Sequence, residues 1–226
     1  THLKQMKKIL FFHGFLQTGE QMRAKTGQLR KILKDFEFIY PDGPFVITST
    51  QDKLIYKHKE SIFETPNPKQ INAPGNRFGF IAHVPDKAYC SGRQYLGLNE
   101  AQSFILSQIK LHNPDKVIGF SQGATALLYL KFKGLIDIPV LLVSPYFFSE
   151  YMEEKQKQQL EEMFEGSQEN IFTVIYGSSD EVLGQQGFQN LKKKFPACQY
   201  FEHAGGHLVA CAGDEIKEFW RKWGKE

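Results

Sequence analysis

The 226-residue chain has only three cysteines, Cys90, Cys198 and Cys211, too few and too unevenly spaced for a disulfide framework. They read as reduced thiols, and a cytoplasmic location is expected. No uninterrupted apolar run is long enough to span a bilayer, and no N-terminal basic-then-apolar signal is visible, so work in solution without a membrane span is expected. Net charge is also scarce: 28 basic residues face 25 acidic ones, for a formal +3. The one dense basic run, Lys192 to Lys194, closes an expected helix, where it suits the helix dipole. No basic block is interleaved with aromatics, which excludes nucleic acid as an expected partner. Internal repeats and low-complexity tracts are absent too. One domain over residues 1–226 is therefore expected.

What is present is a rhythm. Short apolar runs, "KKILFF", "FEFI", "KVIGF", "PVLLVSP", "IFTVIYG" and "QYFEH", alternate with stretches of helical period. The helical stretches are expected over 20–34, 97–112, "ATALLYLKF", "EEKQKQQLEEMF", "GFQNLKKKF" and "DEIKEFWRKW". Alternation of this kind predicts an α/β fold, a mostly parallel central sheet of about six strands flanked by helices. Residues 45–95 break the rhythm. They hold several prolines, mixed charges and no sustained period, and are read as a cap or long-loop insertion.

The chemistry centres on Gly119-Phe120-Ser121-Gln122-Gly123, which fits G-x-S-x-G. A strand runs into it and a helix runs out, the context in which the serine occupies a strained turn with its hydroxyl exposed. The competing reading is a turn in which Ser121 merely caps the helix. A serine nucleophile needs a base, and the base needs an orienting carboxylate, in the chain order Ser, Asp or Glu, His. Asp180, in "YGSSDEV", and His207, in "HAGGHLV", follow the fifth and sixth strands in that order. Glu181 rivals Asp180 as the acid, and His203 rivals His207, although His203 lies within its strand while His207 follows a glycine pair. Asp214 is read as the cap of the last helix. Cys198, His203, His207 and Cys211 suggest a metal site on paper, but Gly205-Gly206 interrupts any helical face that would aim the imidazoles together, so no metal is expected. The oxyanion of a tetrahedral intermediate needs two N–H donors. The expected ones are the backbone amides of Gln122, next to the serine, and of Phe15, in the loop after the first strand. His13 is expected to brace that loop.

"FFHGFLQTG", "GFSQGA", "YGSSDEV" and "HAGGHLV" together resemble the FSH family of serine hydrolases, small α/β-hydrolases. The resemblance covers residues 7–44 and 95–225 and leaves 45–95 unmatched. It implies an α/β-hydrolase fold and cofactor-free hydrolysis of carboxylic esters, with Ser121, Asp180 and His207 as the triad. The chain departs from the family where a proline often follows the acid and histidine motifs; Leu183 and Ala210 stand there. Acyl-protein thioesterases share the "GFSQG" elbow but usually lack the paired glycines.

The expected function is a serine esterase acting on a small-molecule acyl ester or thioester through an acyl-enzyme. The alternatives are a thioesterase of the acyl-protein type and a non-catalytic binding module on the same scaffold. Phe63, Phe78, Phe80, Ile81, Tyr89, Tyr146, Phe147 and Phe148 are aromatic or apolar residues that fit either an acyl-chain site or the cap's own core.

Overall fold

The computed structural model of the chain describes residues 6–59, 61–66, 77–80, 82–83, 95–145, 172–182 and 184–226. Its centre is a six-stranded parallel sheet built from β1 (Lys7–Phe12), β2 (Phe36–Ile39), β9 (Lys116–Phe120), β10 (Val140–Val143), β11 (Thr173–Gly177) and β12 (Gln199–His203). The order across the sheet is β12-β11-β10-β9-β1-β2. The inner strands β1, β9, β10 and β11 are largely apolar because both of their faces are covered, whereas the edge strands β2 and β12 keep exposed residues such as Glu37 and Glu202. Leu10, Phe12, Val117, Leu142 and Tyr176 face one core, filled from helices α3 (Leu98–His112), α4 (Gln122–Phe132) and α5 (Gly184–Lys194). Ile9, Phe11, Ile118, Leu141 and Ile175 face the other, covered by α1 (Gly19–Lys25), α2 (Gly27–Ile32) and α6 (Asp214–Lys225). From α6, Trp220 and Trp223 are almost wholly buried.

The chain runs from β1 outward to β2, then returns to place β9 on the other side of β1 and continues away from it. That reversal opens a crevice at the carboxyl ends of β1 and β9, the usual binding position of parallel α/β sheets. The loops after β1 and β9 line it, and those after β11 and β12 follow along the same rim.

One element differs from the sequence expectation. The helix expected over 20–34 is broken at Thr26, whose hydroxyl donates to the Met22 carbonyl at 2.7 Å and lies 2.7 Å from the Tyr40 hydroxyl. A side chain that hydrogen-bonds back onto its own turn, with a glycine behind it, competes with helix propagation. Within 45–95, read from the sequence as a cap or long-loop insertion, the described residues carry short strands. There, β3 (Phe45–Ser49), β4 (Lys53–His58), β5 (Ser61–Pro66) and β6 (Arg77–Gly79) form an antiparallel sheet in the order β5-β4-β3-β6. Short strands β7 (Ala82–His83) and β8 (Tyr95–Leu96) pair with each other. The buried residues of this sheet, Phe45, Ile47, Leu54 and Tyr56, recur at every second position and pack against Phe15 and Leu16 of the loop after β1. The expected helix over 153–164, the side chains of Phe63, Ile81 and Tyr89, and Tyr146, Phe147, Phe148, Cys90 and Leu183 lie outside the described residues. Phe80 is core: it is fully buried against Phe12 and His13.

Candidate active site

Ser121 joins β9 to α4 with φ 52° and ψ −116°, a conformation that disfavours any side chain and costs about 1–3 kcal/mol. It persists because its neighbours over-determine it. The Ser121 N–H donates to Val143 at 2.9 Å, and its carbonyl accepts from the Thr125 N–H at 2.9 Å and the Thr125 hydroxyl at 3.0 Å. The two flanking glycines are required by space. A Cβ on Gly119 would lie 2.6 Å from the Ala124 backbone, and one on Gly123 would lie 2.5 Å from the Phe12 carbonyl oxygen. The Ser121 side chain makes no capping hydrogen bond to α4. The helix-cap reading of this serine therefore fails.

Asp180 and His207 meet. His207 Nδ1 lies 2.8 Å from Asp180 Oδ2, and the carboxylate is fully buried while the imidazole is partly exposed. The second carboxylate oxygen, Oδ1, accepts the Val182 N–H at 3.0 Å. Glu181 points outward and is exposed. The loops that carry the pair are stapled together: the Ser178 N–H donates to the His203 carbonyl at 2.7 Å, and the Ser179 N–H to the Gly205 carbonyl at 3.1 Å. Such close passage requires Gly177, where a Cβ would fall 2.0 Å from the Gly205 oxygen. On its other side the His207 ring packs over Phe120, with centroids 4.9 Å apart, so the imidazole sits beside the residue that precedes Ser121.

The loop after β1 is held from several directions. The Gly43 N–H donates to His13 Nε2 at 2.9 Å, which leaves Nδ1 protonated and donating to the Gly14 carbonyl at 2.7 Å. The Gly14 N–H donates to Gln17 Oε1 at 2.8 Å, and the Phe15 ring stacks on Tyr56 with centroids 6.2 Å apart. Gln122 contributes a feature that sequence reasoning missed: its side-chain oxygen accepts the Phe80 N–H at 2.8 Å. Gln122 thus ties the first turn of α4 to the residue after β6, while the Phe78 N–H donates to the Gln17 carbonyl at 3.1 Å and ties β6 itself to the loop after β1. The partners lie 42 residues apart in the first case, and no local pattern marks either one.

A cleft of about 360 Å³ adjoins His207 and is lined by Gln17, Met22, Lys25, Phe120, Leu208 and Val209. Leu208 is 46% exposed at its edge. Burial holds His13 below the ordinary histidine value of 6.5, against the opposing pull of the Gly14 carbonyl and Asp42. Burial does the same to His203, against Asp180 and Glu202. Both imidazoles are therefore neutral in the folded state, whereas the unfolded chain binds their protons from about pH 6.5 downward. Their stabilisation is complete above that pH and is lost progressively as the pH falls toward the lowered folded values. The thermal midpoint should drop as the pH falls below about 6.5, by about 2–4 °C for each kcal/mol lost. His13→Asn should flatten that slope; a slope unchanged by the substitution would contradict the assignment.

The sequence model of the serine hydrolase (FSH1) family matches residues 3–218, and the chain belongs to that family. The match runs through 45–95, which the motif resemblance had left out. The chain is 26% identical over 221 residues to an esterase OVCA2 of Danio rerio, covering 94% of each chain. It is 28% identical to the Saccharomyces cerevisiae protein called family of serine hydrolases 3, covering 92% of this chain and 79% of the other. In fold it is similar to a Zea mays acyl-protein thioesterase 2, with a TM-score of 0.63 at 14% identity over 99% of this chain and 95% of the other. The α/β-hydrolase fold is thus shown. Among the described residues no helix is long and apolar enough to cross a membrane.

Proposed function

We propose that the protein hydrolyses carboxylic esters through an acyl-enzyme on Ser121. The observation that carries this reading is the 2.8 Å contact between buried Asp180 and His207, at the same rim of the sheet as a serine held at positive φ. With Nδ1 committed to the carboxylate, Nε2 is the nitrogen left to accept the Ser121 proton. The serine oxygen attacks the acyl carbon, and the oxyanion is received by the backbone amides of Phe15 and Gln122. Collapse of the intermediate expels the alcohol, which takes its proton from His207. Water, deprotonated by the same imidazole, then releases the acid and restores the serine. No cofactor takes part in these steps.

Residues 45–95 belong in this reading to the same unit as the hydrolase core, since Phe80 bonds to Gln122 and Phe78 to Gln17. The cleft beside His207 supports an apolar substrate group: Met22, Phe120, Leu208 and Val209 line it, and its volume of about 360 Å³ lies within the usual range of small-molecule sites. Esters of medium or longer acyl chains are therefore the expected substrates. Each methylene that enters the cleft should contribute about 0.8 kcal/mol, about fourfold in kcat/KM. A series of p-nitrophenyl esters from acetate to decanoate should show kcat/KM rising and then levelling as the cleft fills. A steep preference for acetate would overturn the acyl-chain assignment. Matched thioesters in the same series test the thioesterase alternative, which uses the same residues.

A further inference from the structure

We propose that His203 is a positioning residue for His207, acting through the hydrogen bond that its Nδ1 accepts from the Gly205 backbone. The inference rests on the triad reading above. His203 is the last residue of β12, 6% exposed, and its partner across the sheet is Gly177 at the end of β11. Its ring therefore lies on the face where the strand beside it has no side chain. The loop 204–206 folds back over that gap, and the Gly205 N–H donates to His203 Nδ1 at 3.0 Å. Two residues later the chain delivers His207 to Asp180.

The remaining contacts of this loop explain why the bond matters. Gly205 accepts the Ser179 N–H at its carbonyl and donates its own N–H to the imidazole, so the residue is held through both of its flanking peptides. The acid turn fixes one side and His203 the other. Release of either grip lets the loop shift relative to Asp180.

Chemistry also argues for an acceptor here. An imidazole that accepts at Nδ1 carries its proton on Nε2, and His203 Nε2 is buried with no hydrogen-bond partner among the described residues. An unpaired buried donor carries a desolvation cost that an apolar side chain of similar size would avoid. If the position needed only volume, leucine or phenylalanine would serve it better. The lone pair on Nδ1 is what the apolar residues lack.

The test compares His203→Leu, which fills space without accepting, with His203→Asn, whose side-chain oxygen can stand near Nδ1. Gly205→Ala is a third variant that presses on the same bond from the loop side, since its Cβ would sit 3.0 Å from His203 Nδ1. His203→Leu should lower kcat by about tenfold, the weight of one positioning hydrogen bond, with KM little changed. It should also shift or broaden the low-field proton resonance of the His207–Asp180 hydrogen bond. His203→Asn should restore kcat to within about threefold of the parent and recover the resonance, and Gly205→Ala should fall between the two. Normal kcat and an unchanged resonance in His203→Leu would overturn the proposal. So would equal losses in the Leu and Asn variants in step with lowered thermal midpoints, because that pattern marks a core filler. Should His203→Leu fail to fold, Gly205→Ala decides alone: parental kcat and resonance would overturn the proposal, and loss of both at an unchanged midpoint would uphold it. Ser121→Ala runs beside them; if it keeps its turnover, the error lies in the nucleophile and not in His203.

Discussion

Ser121→Ala should reduce kcat by about 10⁶ while leaving the fold intact. The size of the loss follows from the proposed triad acting as a unit: without the oxygen nucleophile, His207 and Asp180 would have no proton to move. Preservation of the fold follows from the local structure. The Ser121 hydroxyl caps nothing, and the bonds that hold its backbone run through main-chain atoms and Thr125. Alanine tolerates positive φ about as poorly as serine does, so the strain is unchanged by the substitution. The thermal midpoint should therefore move by no more than a few degrees, and purified variant and parent should differ in turnover alone. Retention of more than about 1% of parental kcat would remove Ser121 from the chemistry.

Asp180→Asn should cost about 10⁴ in kcat, with KM affected much less. The direction comes from how the carboxylate is held. Oδ1 accepts the Val182 N–H at 3.0 Å, so an asparagine would keep its carbonyl oxygen there. Its amide NH₂ would then occupy the position of Oδ2, 2.8 Å from His207 Nδ1. Two donors cannot face each other, so Nδ1 would have to become the acceptor and the ring proton would move to Nε2. An imidazole in that tautomer cannot take the serine proton. Full burial of the carboxylate removes water as a substitute partner. Steady-state kinetics at fixed pH on parent and variant measure the loss, and a drop of less than about tenfold would show that Asp180 does not set the tautomer.

The fold was legible because its signals are local. Strands such as "KVIGF" and "TVIYG" are covered on both faces, so they stand out as apolar runs, and the helices between them carry their own period. The elbow was legible for a related reason, since Gly119 and Gly123 flank the serine at a fixed spacing and each sits where a Cβ would meet backbone at 2.5–2.6 Å. The sheet in 45–66 was harder to see. Leu54 and Tyr56 alternate with Lys53, Ile55 and Lys57, and the run is short and followed by prolines, so its period of two was lost among charges. The break at Thr26 depends on a hydroxyl that meets Tyr40, far along the chain. His13, placed as a brace of its loop from sequence, does bond to Gly43 and Gly14. The Gln122–Phe80 bond and the grip of His203 on Gly205 had no such trace. Each depends on which segment the fold lays beside the other, and residue type alone carries no record of that.

Covalent capture decides whether Ser121 is the activated alcohol proposed here. A fluorophosphonate probe should label the parent protein once, with the adduct on the peptide that contains Ser121, and should leave Ser121→Ala unlabelled. Labelling at another residue, or equal labelling of both proteins, would rule out Ser121 as the nucleophile.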